Sequence, residues 1–223
     1  AGALGWVAVS VQDKPLSSKK PQLPAKLSRP QAARVLARTR LYQRLDQARK
    51  YPVTWLSGPP GAGKTTLVSG YLDARGLRGI WYQVDAGDND PATFFHCLGI
   101  AARHATPRVR TPLPVFTPEH RPGLGVFARR YFEALNARLK APSVLVLDNY
   151  QEAAADSAFR DVVAEAAAAL PTGVRLLVLS RAEPPAAFAR LRANEALTLL
   201  DGAELKLTLD EARAVAKQRD RGK

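Results

Sequence analysis

One octapeptide constrains this chain more than any other stretch. Gly58-Pro59-Pro60-Gly61-Ala62-Gly63-Lys64-Thr65 spells G-x-x-x-x-G-K-[ST]. That pattern carries chemistry only where a strand feeds it and a helix leaves it. Both flanks are present. Val53-Thr54-Trp55-Leu56-Ser57 is a short β-prone run, and Thr66 to Asp73 repeats apolar residues at helical spacing. The glycines let the backbone curl so that N–H groups converge on phosphate oxygens, and the helix start adds the positive end of its dipole. Gly58 to Thr65, with Thr66 opening the helix, therefore reads as a cradle for the phosphates of a nucleoside triphosphate. Lys64 is placed to reach the β- and γ-phosphates, and the Thr65 hydroxyl to ligate Mg²⁺.

The remaining apolar pattern extends this unit into a sheet. Ile80–Val84, Val144–Leu147, Val174–Leu179 and Ala196–Leu200 read as further strands. Between them lie helical stretches: Asp90 as cap and Pro91 as first residue of a helix to about Ala105, then Phe127–Lys140, Ala158–Leu170 and 186–192. Residues 106–126, rich in Pro and Gly, read as a long loop. Strands alternating with helices imply an α/β fold, a three-layer α/β/α P-loop NTPase with a five-stranded parallel sheet. Ahead of it, residues 1–25 read as a disordered or loosely attached head, and 31–50 as one or two amphipathic helices. Leu209–Arg219 reads as a helix opening a further unit. That reading, with the absence of any methionine, points to a piece of a longer protein.

Composition sets outer limits. No apolar run approaches the roughly 20 residues of a membrane-spanning helix. A single cysteine, Cys97, excludes an internal disulfide and fits a reducing, cytoplasmic compartment. The net charge of +13 is large for 223 residues. Its front group includes Arg29, Arg34, Arg38, Arg40, Arg44 and Arg49; a second spans Arg103 to Arg130. Such a surface attracts polyanions, so a P-loop ATPase acting directly on nucleic acid is one reading. A solvated surface of an arginine-rich protein is the other. The second is favoured, because no aromatic-interleaved basic groove or recognition helix accompanies the charge.

Asp148 closes the apolar run Val144–Leu147, in the form of a Walker B segment whose carboxylate holds Mg²⁺ directly or through water. Asn149 follows it where many such ATPases carry a second acid to activate water. An amide orients water but accepts no proton, which predicts slow hydrolysis. Glu152 is a weak substitute base. Arg181 follows the strand Val174–Leu179, after Ser180, and is either a sensor of the γ-phosphate or a surface arginine. His96, His104 and His120 have no metal-ligand spacing and read as structural or solvated.

Taken in order, Lys26–Pro30, Arg38–Leu41, the P-loop, Asp88–Pro91 with Phe94, Val144–Tyr150, Ser180–Pro185 and Arg190–Arg192 resemble one family. It is the ATP-binding domain (NB-ARC or AAA-like) of MalT-like regulators, LuxR-type transcription factors of the STAND class. The likeness spans roughly residues 26–212. It implies an ATP/ADP switch with Mg²⁺, catalytic roles for Lys64, Asp148, Asn149 and Arg181, and a place for Arg38 beside the adenine. It implies self-association with ATP, reset by hydrolysis. It also implies a small-molecule inducer and DNA, both bound through domains beyond residue 223. Asn149 in place of the family's second aspartate, and Gln151 in place of its histidine, put the hydrolytic reset in question. On this basis 26–207 is the ATPase domain and 208–223 the start of the next.

Overall fold

A computed structural model describes residues 23–31 and 36–220 of the chain. The expected head therefore falls almost wholly outside the described residues. So does part of the 31–50 stretch. What is described of that stretch holds one helix, α1 (Thr39–Ala48), which buries Leu41, Tyr42, Leu45 and Ala48.

Five strands follow the expected order: β1 (Val53–Ser57), β2 (Arg78–Gln83), β3 (Ser143–Asp148), β4 (Val174–Ser180) and β5 (Leu197–Leu200). They form one all-parallel sheet in the order β2-β3-β4-β1-β5. The strands' continuous apolar runs follow from this, since a parallel sheet is covered on both faces. Alternate residues serve opposite faces. Trp55, Tyr82, Leu145, Leu147, Leu176 and Val178 point into one core, while Leu56, Trp81, Val144, Val146, Leu177 and Leu179 point into the other. The first face is covered by α3 (Pro91–Ala105), α4 (Leu124–Arg138) and α5 (Ala158–Ala168); the second by α1 and α2 (Lys64–Ala74). Three layers result, as expected.

The first face is aromatic. Phe95 meets Phe127 and Tyr131 at centroid distances of 4.9 and 4.8 Å, and Phe94 meets Phe159 edge-on at 5.0 Å. Each such ring, once buried, is worth roughly 1.5–3 kcal/mol from area alone. This core also reorganises the expected loop at 106–126. Phe116 stacks on Phe95, and Thr117 and His120 form a reciprocal cap over a 3-10 turn, Pro118–Gly123. α4 accordingly begins at Leu124, ahead of the expected Phe127. His120 is thus a structural residue. At the sheet edge Gly79 lies so close to the Val144 carbonyl that a β-carbon there would collide with it. β2 depends on that glycine.

The segment after β5 was the least legible. Asp201 caps a turn that places Leu205 in the second core, and α7 (Leu209–Asp220) follows. A small helix, α6 (Ala189–Ala193), links β4 to β5.

Candidate functional site

β1 sets the height of the P-loop. Ser57 pairs with Ser180 of β4 at the strand end, and the Gly58 N–H donates to the Ser180 carbonyl at 3.2 Å. Gly61 and Gly63 both have φ of 78°, in the left-handed region, although a β-carbon at either would meet nothing within 4 Å. These glycines answer to backbone turning, where an L-side chain costs about 1–2 kcal/mol, and not to crowding. The open space above them is the cradle. α2 starts at Lys64 with no side-chain cap, and the amides of Lys64, Thr65 and Thr66 find no acceptor among the described residues. Uncapped amides at a helix start are an anion site. The backbone therefore fits a polyphosphate.

Lys64 Nζ lies over its own loop, donating to the carbonyls of Gly58 at 2.6 Å and Pro59 at 3.1 Å. Burial pushes its pKa down; the nearby Asp148 charge opposes this and the Arg181 charge adds to it. The ammonium would gain from a phosphate partner, since an anion compensates the water it has lost.

The Thr65 hydroxyl donates to the Asp148 carboxylate at 2.9 Å. Asp148 is only 4% exposed. Burial raises its pKa, offset in part by Thr65, by the Asn149 N–H at 2.9 Å and by the Lys64 charge. A buried carboxylate beside an alcohol, both hard oxygen donors, fits Mg²⁺, which keeps few protein ligands and shares the rest with phosphate and water. No cluster of three or more His, Cys, Asp or Glu side chains gathers among the described residues to suggest another metal centre.

The sheet order adds what spacing could not. β3, which carries Asp148, is not adjacent to β1; β4 lies between them. Arg181, at the end of β4, is therefore placed between the P-loop strand and the Asp148 strand. Its backbone N–H donates to Gln151 Oε1 at 3.0 Å, and its exposed guanidinium faces Glu152 at 3.5 Å. Asn149 adopts φ 59°, ψ 39°, a left-handed conformation that asparagine tolerates better than most residues. The chain reverses there into the 3-10 turn Tyr150–Glu152, anchored by Tyr150 against Trp55 at 4.9 Å.

Arg38, which the resemblance sets beside the adenine, is bonded here to the segment after β5. Its Nη2 donates to the carbonyls of Leu205 and Lys206, each at 2.9 Å, and to Glu211 at 3.1 Å. Arg40 and Arg44 add bonds to the Glu204 carbonyl and carboxylate. The arginines of α1 and its approach thus clamp the segment after β5. That segment in turn borders the P-loop: Gly202 lies 3.5 Å from a β-carbon placed on Gly58, and Leu205 3.1 Å. No sequence pattern pairs positions some 165 residues apart, so this clamp was illegible. Elsewhere several further arginines are paired with acids. Arg75 pairs with Asp46, Arg121 with Asp90, Arg129 with Glu165 and Arg29 with Asp73.

A nucleotide-phosphate cradle at the C-terminal edge of this sheet, with an acid buried across from the loop, defines a P-loop ATPase domain. The model of the AAA ATPase domain matches residues 33–179, and the chain belongs to that family. Among curated proteins it is similar to the HTH-type transcriptional regulator MalT of Cronobacter sakazakii, 31% identical over 194 residues, which is 86% of this chain and 21% of that protein. The MalT of Serratia proteamaculans is 30% identical over 198 residues, with the same shares. The resemblance to MalT-like regulators thus holds across most of the chain, which spans about a fifth of the length of these relatives. The fold also matches a Walker-type ATPase of Pyrococcus abyssi, with a TM-score of 0.56 and 16% identity over 87% of this chain and 61% of that one. No helix among the described residues is long and apolar enough to cross a membrane.

Proposed function

We propose that the chain is the ATP-binding switch domain of a MalT-like transcriptional regulator. The observation that carries this reading is the 2.9 Å bond between Thr65 and Asp148. It unites the two expected Mg²⁺ ligands from elements 83 residues apart. The loop amides and Lys64 hold the β- and γ-phosphates, Thr65 and Asp148 hold Mg²⁺, and Arg181 reads the γ-phosphate. Bound Mg²⁺ supplies charge neutralisation at the phosphates and orients them. Asn149 positions water by hydrogen bonding but accepts no proton, so turnover is slow and ATP acts mainly as a signal.

ATP favours an assembly-competent state and ADP a closed one, which requires the two nucleotides to bind the states with different affinity. Residues 26–207 form the switch, and α7 opens the next unit. An inducer and DNA are partners of the parent regulator through its other domains. The similarity to HTH-type transcriptional regulators supports that assignment. The pairing of Arg29, Arg44, Arg75 and Arg129 with acids favours a switch over an enzyme that tracks nucleic acid.

Calorimetric titration of ATP with and without Mg²⁺ tests the reading. In Asp148→Asn the Mg²⁺-dependent gain in affinity should vanish while Mg²⁺-free binding persists. An undiminished Mg²⁺ gain in that variant overturns the metal assignment.

A further inference from the structure

We infer that Gln151 positions Arg181 and that Glu152 competes with the γ-phosphate for its guanidinium, so that this pair of residues sets the preference for ATP over ADP. The inference rests on the sensing role given to Arg181 above.

The geometry is a closed ring. The Arg181 N–H donates to Gln151 Oε1 at 3.0 Å, and Gln151 Nε2 donates to Glu152 Oε1 at 3.0 Å. That same Glu152 oxygen faces Arg181 Nη2 at 3.5 Å. One glutamine amide therefore uses its acceptor on the backbone of Arg181 and its donor on the anion opposite the guanidinium. Both residues belong to the turn Tyr150–Glu152, which starts directly after Asp148 and Asn149. Because β3 and β4 are adjacent, this turn meets the loop leaving β4.

The base of Arg181 is held on its other flank too. The Trp55 indole N–H donates to the Ala182 carbonyl at 2.9 Å, and the Ala182 N–H to Ser180 Oγ at 3.1 Å. The contrast lies at the tip. Arg181 and Glu152 side chains are 54% and 43% exposed, and at 3.5 Å they form an ion pair rather than a close hydrogen bond. Exposed pairs of this kind are weak. A phosphate can engage two guanidinium N–H groups at once, with stronger charge-assisted bonds. A firmly held backbone with a loosely held guanidinium is what an exchange between two anions requires. ADP has no γ-phosphate, so with ADP the guanidinium stays with Glu152.

Affinities for Mg²⁺–ATP and Mg²⁺–ADP, measured by calorimetry on the protein and four variants, test this. Glu152→Gln removes the competitor, so ATP should bind about threefold tighter with ADP affinity unchanged. Gln151→Ala loosens the base, so ATP should bind about fivefold weaker, again with ADP unchanged. A general packing defect would move both nucleotides together. In an Arg181→Ala background Glu152→Gln should have no effect, because its only route to the phosphate is gone. If Arg181→Ala lowers the preference for ATP but neither neighbour's substitution alters it, the inference is overturned and the sensing role stands. If Arg181→Ala leaves the preference intact, the sensing role itself falls.

Discussion

The P-loop centre and the arginine clamp lie side by side yet are built on opposite principles. In the centre, Gly58 to Thr65 are contiguous, and their positive-φ glycines and uncapped helix start follow from local sequence. In the clamp, Arg38, Arg40 and Arg44 reach Glu204–Glu211 across the whole chain. The centre leaves polar groups unsatisfied or strained: loop amides without acceptors, a desolvated Lys64 and a buried Asp148. The clamp commits its arginines to partners, Arg38 Nη2 alone donating to two carbonyls and to Glu211, although the buried Arg38 Nε finds none among the described residues. Function is therefore expected to depend most on the first and stability most on the second.

The largest effect should come from Lys64→Ala. Loss of the ammonium should weaken ATP binding by about 3 kcal/mol or more, roughly a hundredfold, with little change in the nucleotide-free unfolding midpoint. Isothermal titration and a denaturant melt on one preparation check both halves. Unaltered affinity would move the phosphate site elsewhere.

Arg38→Ala should do the reverse. It strips partners from Leu205, Lys206 and Glu211 and leaves the carboxylate poorly compensated, for a loss of about 2–4 kcal/mol in unfolding free energy. Nucleotide affinity should fall less than in Lys64→Ala. Should affinity collapse while stability holds, Arg38 belongs to the nucleotide site and the division between the regions fails.

Asn149→Asp sharpens the centre alone. Aspartate also tolerates the left-handed backbone, so the turn survives and a proton acceptor appears. Phosphate release should rise about tenfold, corresponding to about 1.4 kcal/mol in the barrier. No gain would mean that the amide is not what slows turnover.

The smallest effect concerns pH. Burial works to raise the Glu211 pKa, but hydrogen bonds from Arg38 and the Thr208 N–H, with the Arg38 and Arg40 charges, bring it below the ordinary carboxylate range. A depressed folded-state pKa contributes stability that is present above the unfolded value and is lost as pH falls through the folded one. Melts should thus show an acid loss, beginning near the ordinary glutamate pKa and running below it, that is reduced in Glu211→Gln. An identical acid limb in the variant would assign that loss to other carboxylates, Asp46 beside Arg75 first among them.

Much of the architecture was readable because its signals are periodic or local. Strand positions agree with expectation to within a residue or two, since each run is apolar on both faces. The Asp90 cap is present, its carboxylate accepting from the Thr93 N–H at 3.2 Å. Where expectation slipped, at 116–126, aromatic packing overrode the Pro and Gly signals: Phe116 and His120 contact the Phe127 ring at 5.1 and 4.6 Å.

The sequence alone determined the phosphate loop, the buried strands and the acid at the end of β3, because each depends on neighbours within a few residues. Tertiary structure decided the rest. The insertion of β4 between β1 and β3 places Arg181 between loop and acid, the turn at Asn149 carries Gln151 and Glu152 back to it, and Arg38 is spent on the segment after β5. Those outcomes are set by strand order and by contacts between residues far apart in the chain, and no local spacing encodes either.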